Sequence, residues 1–269
     1  MQARVLPQGW RDLLRQVSLF VSTFLVYDVV RGLVEGRGKA AFENARELIS
    51  IERTLHLFVE PSVQAWASGS HVLMVGASWL YVNAQTSITI GALLYLYLRH
   101  NRSFYFVRNM LMIAMPIALI GYLVFPTAPP RFLPEWGFAD TVSDLTPVNN
   151  SHSSAFLSAL FNPYAAVPSM HVAFALMIGW PLARLARRSA ARVLWVLYPF
   201  LMTFVIVVTA NHFILDALLG ALTAAIAAYG ALCLARVRPA AWRFAGVPGA
   251  RVPVARPPIA AARARASGY

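Results

Sequence analysis

The sequence is poor in charge and has almost no cysteine. Charged residues make up 13% of its 269 residues and hydrophobic residues 58%, with a mean hydropathy of +0.58. A soluble domain has roughly a quarter of its residues charged, so the shortage of charge excludes an ordinary soluble protein and predicts a membrane protein. The single cysteine, Cys233, excludes an internal disulfide and a thiolate metal cluster.

Six apolar stretches approach the length of a membrane-spanning helix, for which roughly 20 residues are needed. They cover residues 13–34, 71–98, 110–125, 169–185, 193–209 and 213–234. We therefore predict an all-α, polytopic membrane protein with six transmembrane helices that form a single domain over residues 1–235. The basic tail, residues 236–269, is rich in proline, alanine and arginine, and its composition predicts a disordered cytoplasmic segment.

Arginines between the predicted spans set the orientation. They lie before the first span, between the second and third, and between the fourth and fifth: Arg4, Arg11, Arg15, Arg99, Arg102, Arg108, Arg184, Arg187, Arg188 and Arg192. Basic connections face the cytoplasm, so both termini are predicted there, and residues 35–70 and 126–168 are predicted outside. The abundance of arginine and alanine suggests a bacterial chain, which makes this the plasma (inner) membrane. The net charge of +12 is explained by these clusters and by anionic headgroups, so we predict no nucleic-acid partner.

The outer segment before the second span has its own pattern. Phe42, Ala45, Leu48, Ile49 and Leu55 recur at helical spacing among glutamates and arginines. This pattern predicts an amphipathic helix on the outer membrane surface, followed by a second short helix at about residues 61–67.

Two histidines lie at the outer ends of predicted spans. His171 is near the start of the fourth span, behind Pro168 and Ser169, and His212 is at the start of the sixth. Helix N-termini favour anions because their amides are unpaired and carry partial positive charge. Arg131, just beyond the third span, adds a guanidinium that binds phosphate oxygens in pairs. The arrangement predicts a phosphate site at the outer face.

The spacing of His212 and Asp216 predicts a nucleophile and its orienting group. Residues four apart share a helix face, so the carboxylate can hold one ring nitrogen and leave the other free to attack. His171 is then placed to protonate a leaving alkoxide. The bland alternative for each histidine is a cap or an interface residue. Neither an oxygen cage for Mg²⁺ nor a His/Cys set for zinc is evident, so no metal and no cofactor is predicted.

The motifs "APPR", "PSMH" and "NHFILD" resemble those of the type 2 phosphatidic acid phosphatase superfamily, and most closely its branch that contains the fungal inositol phosphorylceramide synthases. The resemblance covers about residues 52–220. It implies a six-helix membrane core and a phosphohistidine intermediate formed without metal. It also implies that His171, His212 and Asp216 are catalytic and that Arg131 binds phosphate.

The chain departs from the superfamily's motifs at four positions. Met170 replaces a glycine, Val124 stands where the first motif has lysine, and Val205 and Ile206 stand where the third motif has Ser-Arg. Two phosphate-binding cations are therefore absent, which fits the synthase-like branch.

Four more residues are candidates for the phosphate site. Arg53 and His56 on the outer segment are candidates to replace the missing cations. Asn211 adjoins His212, and Ser169 either only caps its helix or also contacts phosphate.

Three functions remain open from the sequence. The first is a lipid phosphatase that acts on a lipid phosphate or polyprenyl phosphate at the outer leaflet. The second is a phospho-headgroup transferase, resembling an inositolphosphotransferase, in which a lipid or polyol hydroxyl replaces water. The third is a non-catalytic bundle that binds membrane lipids.

Overall fold

The computed structural model describes residues 6–32, 37–141 and 164–239. Within these residues the chain forms eight α-helices and no β-strand. The helices are α1 (Trp10–Gly32), α2 (Gly38–Thr54), α3 (Glu60–Ser68), α4 (His71–Arg99), α5 (Asn101–Val124), α6 (Met170–Leu185), α7 (Ser189–Val208) and α8 (Ile214–Val237). The all-α prediction is confirmed for this part of the chain. The predicted disordered tail lies, beyond residue 239, outside the described residues.

Within the described part of the chain, three helices are long and apolar enough to cross a membrane, namely α5, α7 and α8, and α6 is a shorter apolar helix. This confirms the prediction of a membrane protein. Helices α1 and α4 overlap the first two predicted spans, but their length and composition do not meet the same test, so the count of six spans stays a prediction. Helix α5 starts at Asn101, nine residues before the predicted start of the third span. Its first two turns carry polar side chains, so the apolar stretch in the sequence is shorter than the helix.

The start of α6 is pressed between α5 and α8 at two glycines. A Cβ atom at Gly220 of α8 would lie 2.3 Å from the carbonyl oxygen of Ser169, and one at Gly121 of α5 would lie 2.7 Å from Cδ of Pro168. A real Cβ atom essentially never lies so close to another heavy atom, so only glycine permits these approaches. In addition, the hydroxyl of Tyr122 donates to the carbonyl of Pro168 at 3.3 Å. The position of the PSMH motif is therefore set by backbone contact.

Helix α1 is attached to the bundle through a buried polar network. Arg108 of α5 is 0% exposed and donates to Oε1 of Gln16 at 2.7 Å and to Oδ1 of Asn109. Asp12 of α1 accepts from the hydroxyls of Tyr97 and Tyr105. The sequence analysis counted Arg108 among the arginines of a cytoplasmic connection, and this is wrong, because its side chain lies within the packed helices.

Helix α2 covers the loops of the bundle with its apolar face. Ala41, Ala45, Leu48 and Ile49 are buried in one cluster with loop residues that include Phe213. The predicted helix is therefore present, but the interpretation of its apolar face as membrane-facing is wrong, since protein covers that face.

The close approach at Gly220 gives a test of this packing. Gly220→Ala should lower the melting temperature in detergent by several degrees, because overpacking costs about 1–3 kcal/mol and 1 kcal/mol corresponds to roughly 2–4 °C in a protein of this size. The matched control is Gly91→Ala in α4, where a Cβ meets nothing within 4 Å. An equal melting temperature for Gly220→Ala and Gly91→Ala contradicts the packing described.

Candidate active site

Three separate pieces of chain meet beside the start of α8. The amide of Thr127 donates to the carbonyl of Tyr164 at 2.9 Å, which joins the loop after α5 to the segment before α6. The amide of Arg131 donates to the carbonyl of Ala210 at 2.8 Å. The amide of Ser169 donates to the carbonyl of Asp216 at 3.0 Å. All three predicted motifs thus converge through backbone hydrogen bonds.

His212 lies in the turn between α7 and α8, and Asp216 lies in the first turn of α8. The turn is made by Ala210, whose φ of 48° is in the left-handed region that ends many helices. Nδ1 of His212 is 3.3 Å from Oδ2 of Asp216, and the same oxygen accepts from the amide of Phe213 at 3.0 Å. Asp216 is 0% exposed and His212 only 5%. With a proton on Nδ1, the carboxylate holds the ring and leaves Nε2 unprotonated.

Burial keeps the His212 imidazole neutral. It lowers the pKa of His212 to about 3, the nearby Ala166 carbonyl acts in the opposite direction, and the positive charge of Arg131 lowers the pKa further. A nucleophilic histidine needs the lone pair of one nitrogen. The environment of this ring therefore preserves the reactive form at neutral pH.

His171 is the second residue of α6 and faces His212 across the site. The two ring centroids are 5.6 Å apart, with the rings inclined at 60°. On its other side His171 stacks on Tyr81 of α4, at 4.4 Å between centroids and 21° between planes. Stacking fixes the plane of the His171 ring, so its position relative to His212 is defined by two neighbouring helices.

Arg131 is held at the site by a chain of contacts that begins on α3. Gln64 donates to the carbonyl of Ala139 at 2.9 Å and accepts from its amide at 3.1 Å. This double hydrogen bond fixes the backbone next to Asp140, whose Oδ2 lies 3.7 Å from Nε of Arg131. Arg131 also lies over the ring of Phe132, 4.8 Å from its centroid. These contacts orient the guanidinium, and the carboxylate of Asp140 already neutralises part of its positive charge.

Several buried polar atoms around this point have no hydrogen-bond partner. They are Oγ of Ser169, Oδ1 of Asn211, Oδ1 of Asp216 and Nε of Arg131. Ser169 stands at the N-cap position of α6, but its side chain makes no capping bond. Buried polar groups are normally paired, and unpaired ones cluster where a ligand or water belongs. The hydroxyl of Ser169 is therefore not used by its own helix.

Arg53 lies elsewhere. Its side chain is exposed, and its Cζ is 5.8 Å from the ring centroid of Trp136. The structure does not join it to the convergent atoms above, so its role in phosphate binding stays a prediction. His56 follows the end of α2 with a φ of 57° and is exposed.

Two residues that the sequence analysis did not select bind the start of α8. Oε1 of Glu60 accepts from the amide of Ile214 at 2.9 Å, and Oε1 of Glu52 accepts from the amide of Leu215 at 2.8 Å. The expectation that the first amides of this helix bind the substrate's anion is therefore wrong, because the protein's own carboxylates occupy them. A signal was present in the sequence, since Glu52 continues the apolar positions Ala45, Leu48 and Ile49 of α2 at helical spacing.

Acidic side chains are thus concentrated at the start of α8. Among the residues that the structure describes, no group of three or more His, Cys, Asp or Glu side chains is arranged to hold a metal ion.

The comparisons with known proteins agree with this geometry. A family model described as the PAP2 superfamily matches residues 46–230, well over half of the chain. The chain belongs to the PAP2 superfamily. Members of this superfamily are generally phosphatases, and the matched region runs from within α2 to within α8 and contains all the candidate site residues. Neither the curated proteins nor the solved structures contain a match to the chain. Membership of the inositol phosphorylceramide synthase branch stays a prediction.

The neutral state of His212 can be measured without a substrate. In ¹⁵N spectra of protein labelled at its six histidines, one ring should keep a proton on Nδ1 alone at pH 5, because the pKa of His212 is lowered to about 3. That signal should be missing from the His212→Ala spectrum, which assigns it. A doubly protonated His212 ring at pH 5 contradicts the prediction.

Proposed function

We propose that the chain is an integral-membrane phosphatase or phosphotransferase that acts on a phosphorylated lipid at the outer leaflet through a phosphohistidine. In this mechanism His212 is the nucleophile, Asp216 orients it, His171 is the general acid and Arg131 binds the phosphate. Ser169 and Asn211 add uncharged contacts. The distribution of arginines favours an outward-facing site with both termini in the cytoplasm.

One observation carries this proposal. Two imidazoles from different helix starts lie 5.6 Å apart, and one of them has its Nδ1 on a buried carboxylate. A phosphate bound beside the two rings would have the nitrogen of His212 and a proton donor, His171, on the same side of the site. PAP2 superfamily membership supports the same chemistry.

The reaction proceeds in two steps. Nε2 of His212 attacks phosphorus, an N–P bond forms, and the P–O bond to the lipid alcohol breaks while His171 protonates the departing oxygen. Water then attacks phosphorus, gives its proton to His171 and breaks the N–P bond, which returns both histidines to their starting states. Asp216 stabilises the positive charge that His212 carries in between.

The small amount of positive charge at the site favours a second candidate function, in which the phosphoryl group is transferred from a phosphodiester. Val205 and Ile206, which stand where the superfamily has Ser-Arg, are 1% and 0% exposed and so line the core. Arg131 is shared with Asp140 at 3.7 Å. A phosphate monoester carries nearly two negative charges at neutral pH, whereas a diester carries one. Among the described residues, a site whose one arginine is partly neutralised by Asp140 suits the diester, with a polyol or lipid hydroxyl replacing water in the second step.

The non-catalytic alternative accounts less well for these residues. A bundle that only binds lipid does not need a buried carboxylate on a histidine, and buried polar groups without partners cost about 1–3 kcal/mol each. The unpaired oxygens of Ser169, Asn211 and Asp216 are therefore easier to explain in a site that acts on a polar ligand.

The first test is the loss of the nucleophile. His212→Ala should reduce turnover to background while the protein still folds, because it removes the nitrogen that attacks phosphorus in the proposed mechanism. His171→Ala should lower kcat by about 10²–10⁴-fold, the range for general acid catalysis, with the largest losses for poor leaving groups. His71→Ala is the matched control, since His71 is exposed at the start of α4. Full activity of His212→Ala rejects the mechanism.

The second test asks which phosphate is accepted. Purified protein is given ³²P-labelled lipid phosphomonoesters, polyprenyl phosphates and phosphodiesters, with and without polyol or ceramide acceptors. The scarcity of cations predicts higher kcat/KM for diesters than for monoesters, and a label on His212 that is acid-labile and base-stable. Higher kcat/KM for monoesters, with inorganic phosphate as the product, makes the chain a phosphatase and excludes the transferase.

A further inference from the structure

Glu52 of α2 and Glu60 of α3 form a pair at the start of α8. Both residues are 0% exposed. Each uses its Oε1 to accept from a different amide of α8, at 2.8 Å from Leu215 and 2.9 Å from Ile214. The preceding amide, that of Phe213, is bonded to Asp216. Three consecutive amides are thus held by three carboxyl groups from three helices.

The second oxygen of each glutamate is not bonded to α8. Oε2 of Glu52 and Oε2 of Glu60 are both buried and lack any N–H or O–H donor from another residue, while the two side chains are within hydrogen-bonding distance of one another. Two carboxyl groups can form such a bond only if one of them carries a proton. Two bare carboxylates at this position would leave both oxygens unpaired and repel each other, which is costly in a buried site.

The surrounding charges act in the same direction. Burial raises the pKa of Glu52 to about 9, the hydrogen bond from Glu60 and the negative charges of Glu60 and Asp216 raise it too, and only the Leu215 amide lowers it. These are the groups that face Glu52 from α3 and α8. These influences favour a protonated Glu52 at neutral pH.

We propose that Glu52 and Glu60 share a single proton and act together as positioning residues that hold the first turn of α8, and with it Asp216 and His212. The inference rests on the proposed function, in which His212 is the nucleophile. The bonds that the pair makes to α8 go to backbone amides and not to His212. Its effect passes through the backbone of Ile214 and Leu215, which leads directly into Asp216.

The pair also connects the two halves of the site. Helix α3 carries Glu60 and, one turn later, Gln64, which fixes the backbone beside Asp140 and so orients Arg131. A shift of α3 would therefore move the nucleophile and the phosphate-binding group together. For this reason the glutamates are more than local caps.

Glutamine substitutions test the shared proton directly. Glutamine has the shape of protonated glutamate, with one acceptor for an α8 amide and one donor for the opposite carboxylate. Glu52→Gln and Glu60→Gln should each fold and keep most of the activity at pH 7. The double variant places two NH₂ groups face to face, so its melting temperature should fall by more than the sum of the two single shifts. Additive shifts overturn the shared proton.

The pH dependence of stability gives a second readout that needs no substrate. Because the pKa of Glu52 is raised from 4.5 to about 9 in the folded protein, the folded state holds more protons than the unfolded state between these values. Wild-type stability should therefore fall as pH rises from about 5 to 9. Glu52→Gln removes this dependence. The melting temperature of the variant should therefore rise relative to that of wild type as the pH increases from about 5 to 9. Glu47 lies on the exposed face of α2. The melting temperature of Glu47→Gln should therefore change with pH as that of wild type does. Parallel curves for Glu52→Gln and wild type overturn the proposal.

Activity distinguishes positioning from a purely structural role. Wild type should lose kcat as pH rises through about 9, when the pair becomes two carboxylates, and Glu52→Gln should not show this loss. Glu52→Ala should lower kcat by about 10²-fold, the loss that a 1 Å misplacement produces, with a smaller change in KM. An alkaline loss of kcat that is identical in wild type and Glu52→Gln overturns the positioning role. If wild type has no phosphatase or transferase activity, the proposed function fails, while the melting curves still decide the proton pair.

Discussion

The first turn of α8 is the constraint on which the rest of the site depends. Its amides at Phe213, Ile214 and Leu215 are bonded to Asp216, Glu60 and Glu52, so the helix start has a fixed rotation and a fixed distance from α2 and α3. A helix N-terminus ordinarily attracts an anion. In this protein that capacity is used internally, so the proposed function assigns recognition of the phosphate to Arg131 and Ser169 instead.

The same constraint gives the site an unusual balance of charge. Three acidic side chains, Glu52, Glu60 and Asp216, are bonded to the start of α8, whereas Arg131 is paired with Asp140. In the proposed mechanism His212 is a neutral imidazole until it attacks phosphorus. Because positive charge would then develop on His212 itself, the acidic groups would stabilise the intermediate more than the bound substrate, which is the direction that accelerates a reaction.

The sequence was informative where the geometry is local or follows from topology. His212 and Asp216 are four residues apart, so any helix start brings them together, and His171 and His212 share one end of the bundle because both helices enter from the same side. The glutamate caps were missed because their bonds span 154 and 163 residues, and no local pattern reveals a partner so distant. Stacking of Tyr81 on His171 was missed for the same reason, since it depends on the rotation of α4 against α6.

Burial of Arg108 has a consequence for the limits of the folding unit. Its guanidinium is enclosed within the matched region, yet one of its acceptors is Gln16 of α1, which precedes the first matched residue, 46. Ribosomes release α1 before α5, so the acceptor is already present when the cation leaves the exit tunnel. Helix α1 is for this reason an integral part of the bundle. The region that the family model matches does not include α1, so it lacks one of the side chains that pair with the buried guanidinium of Arg108.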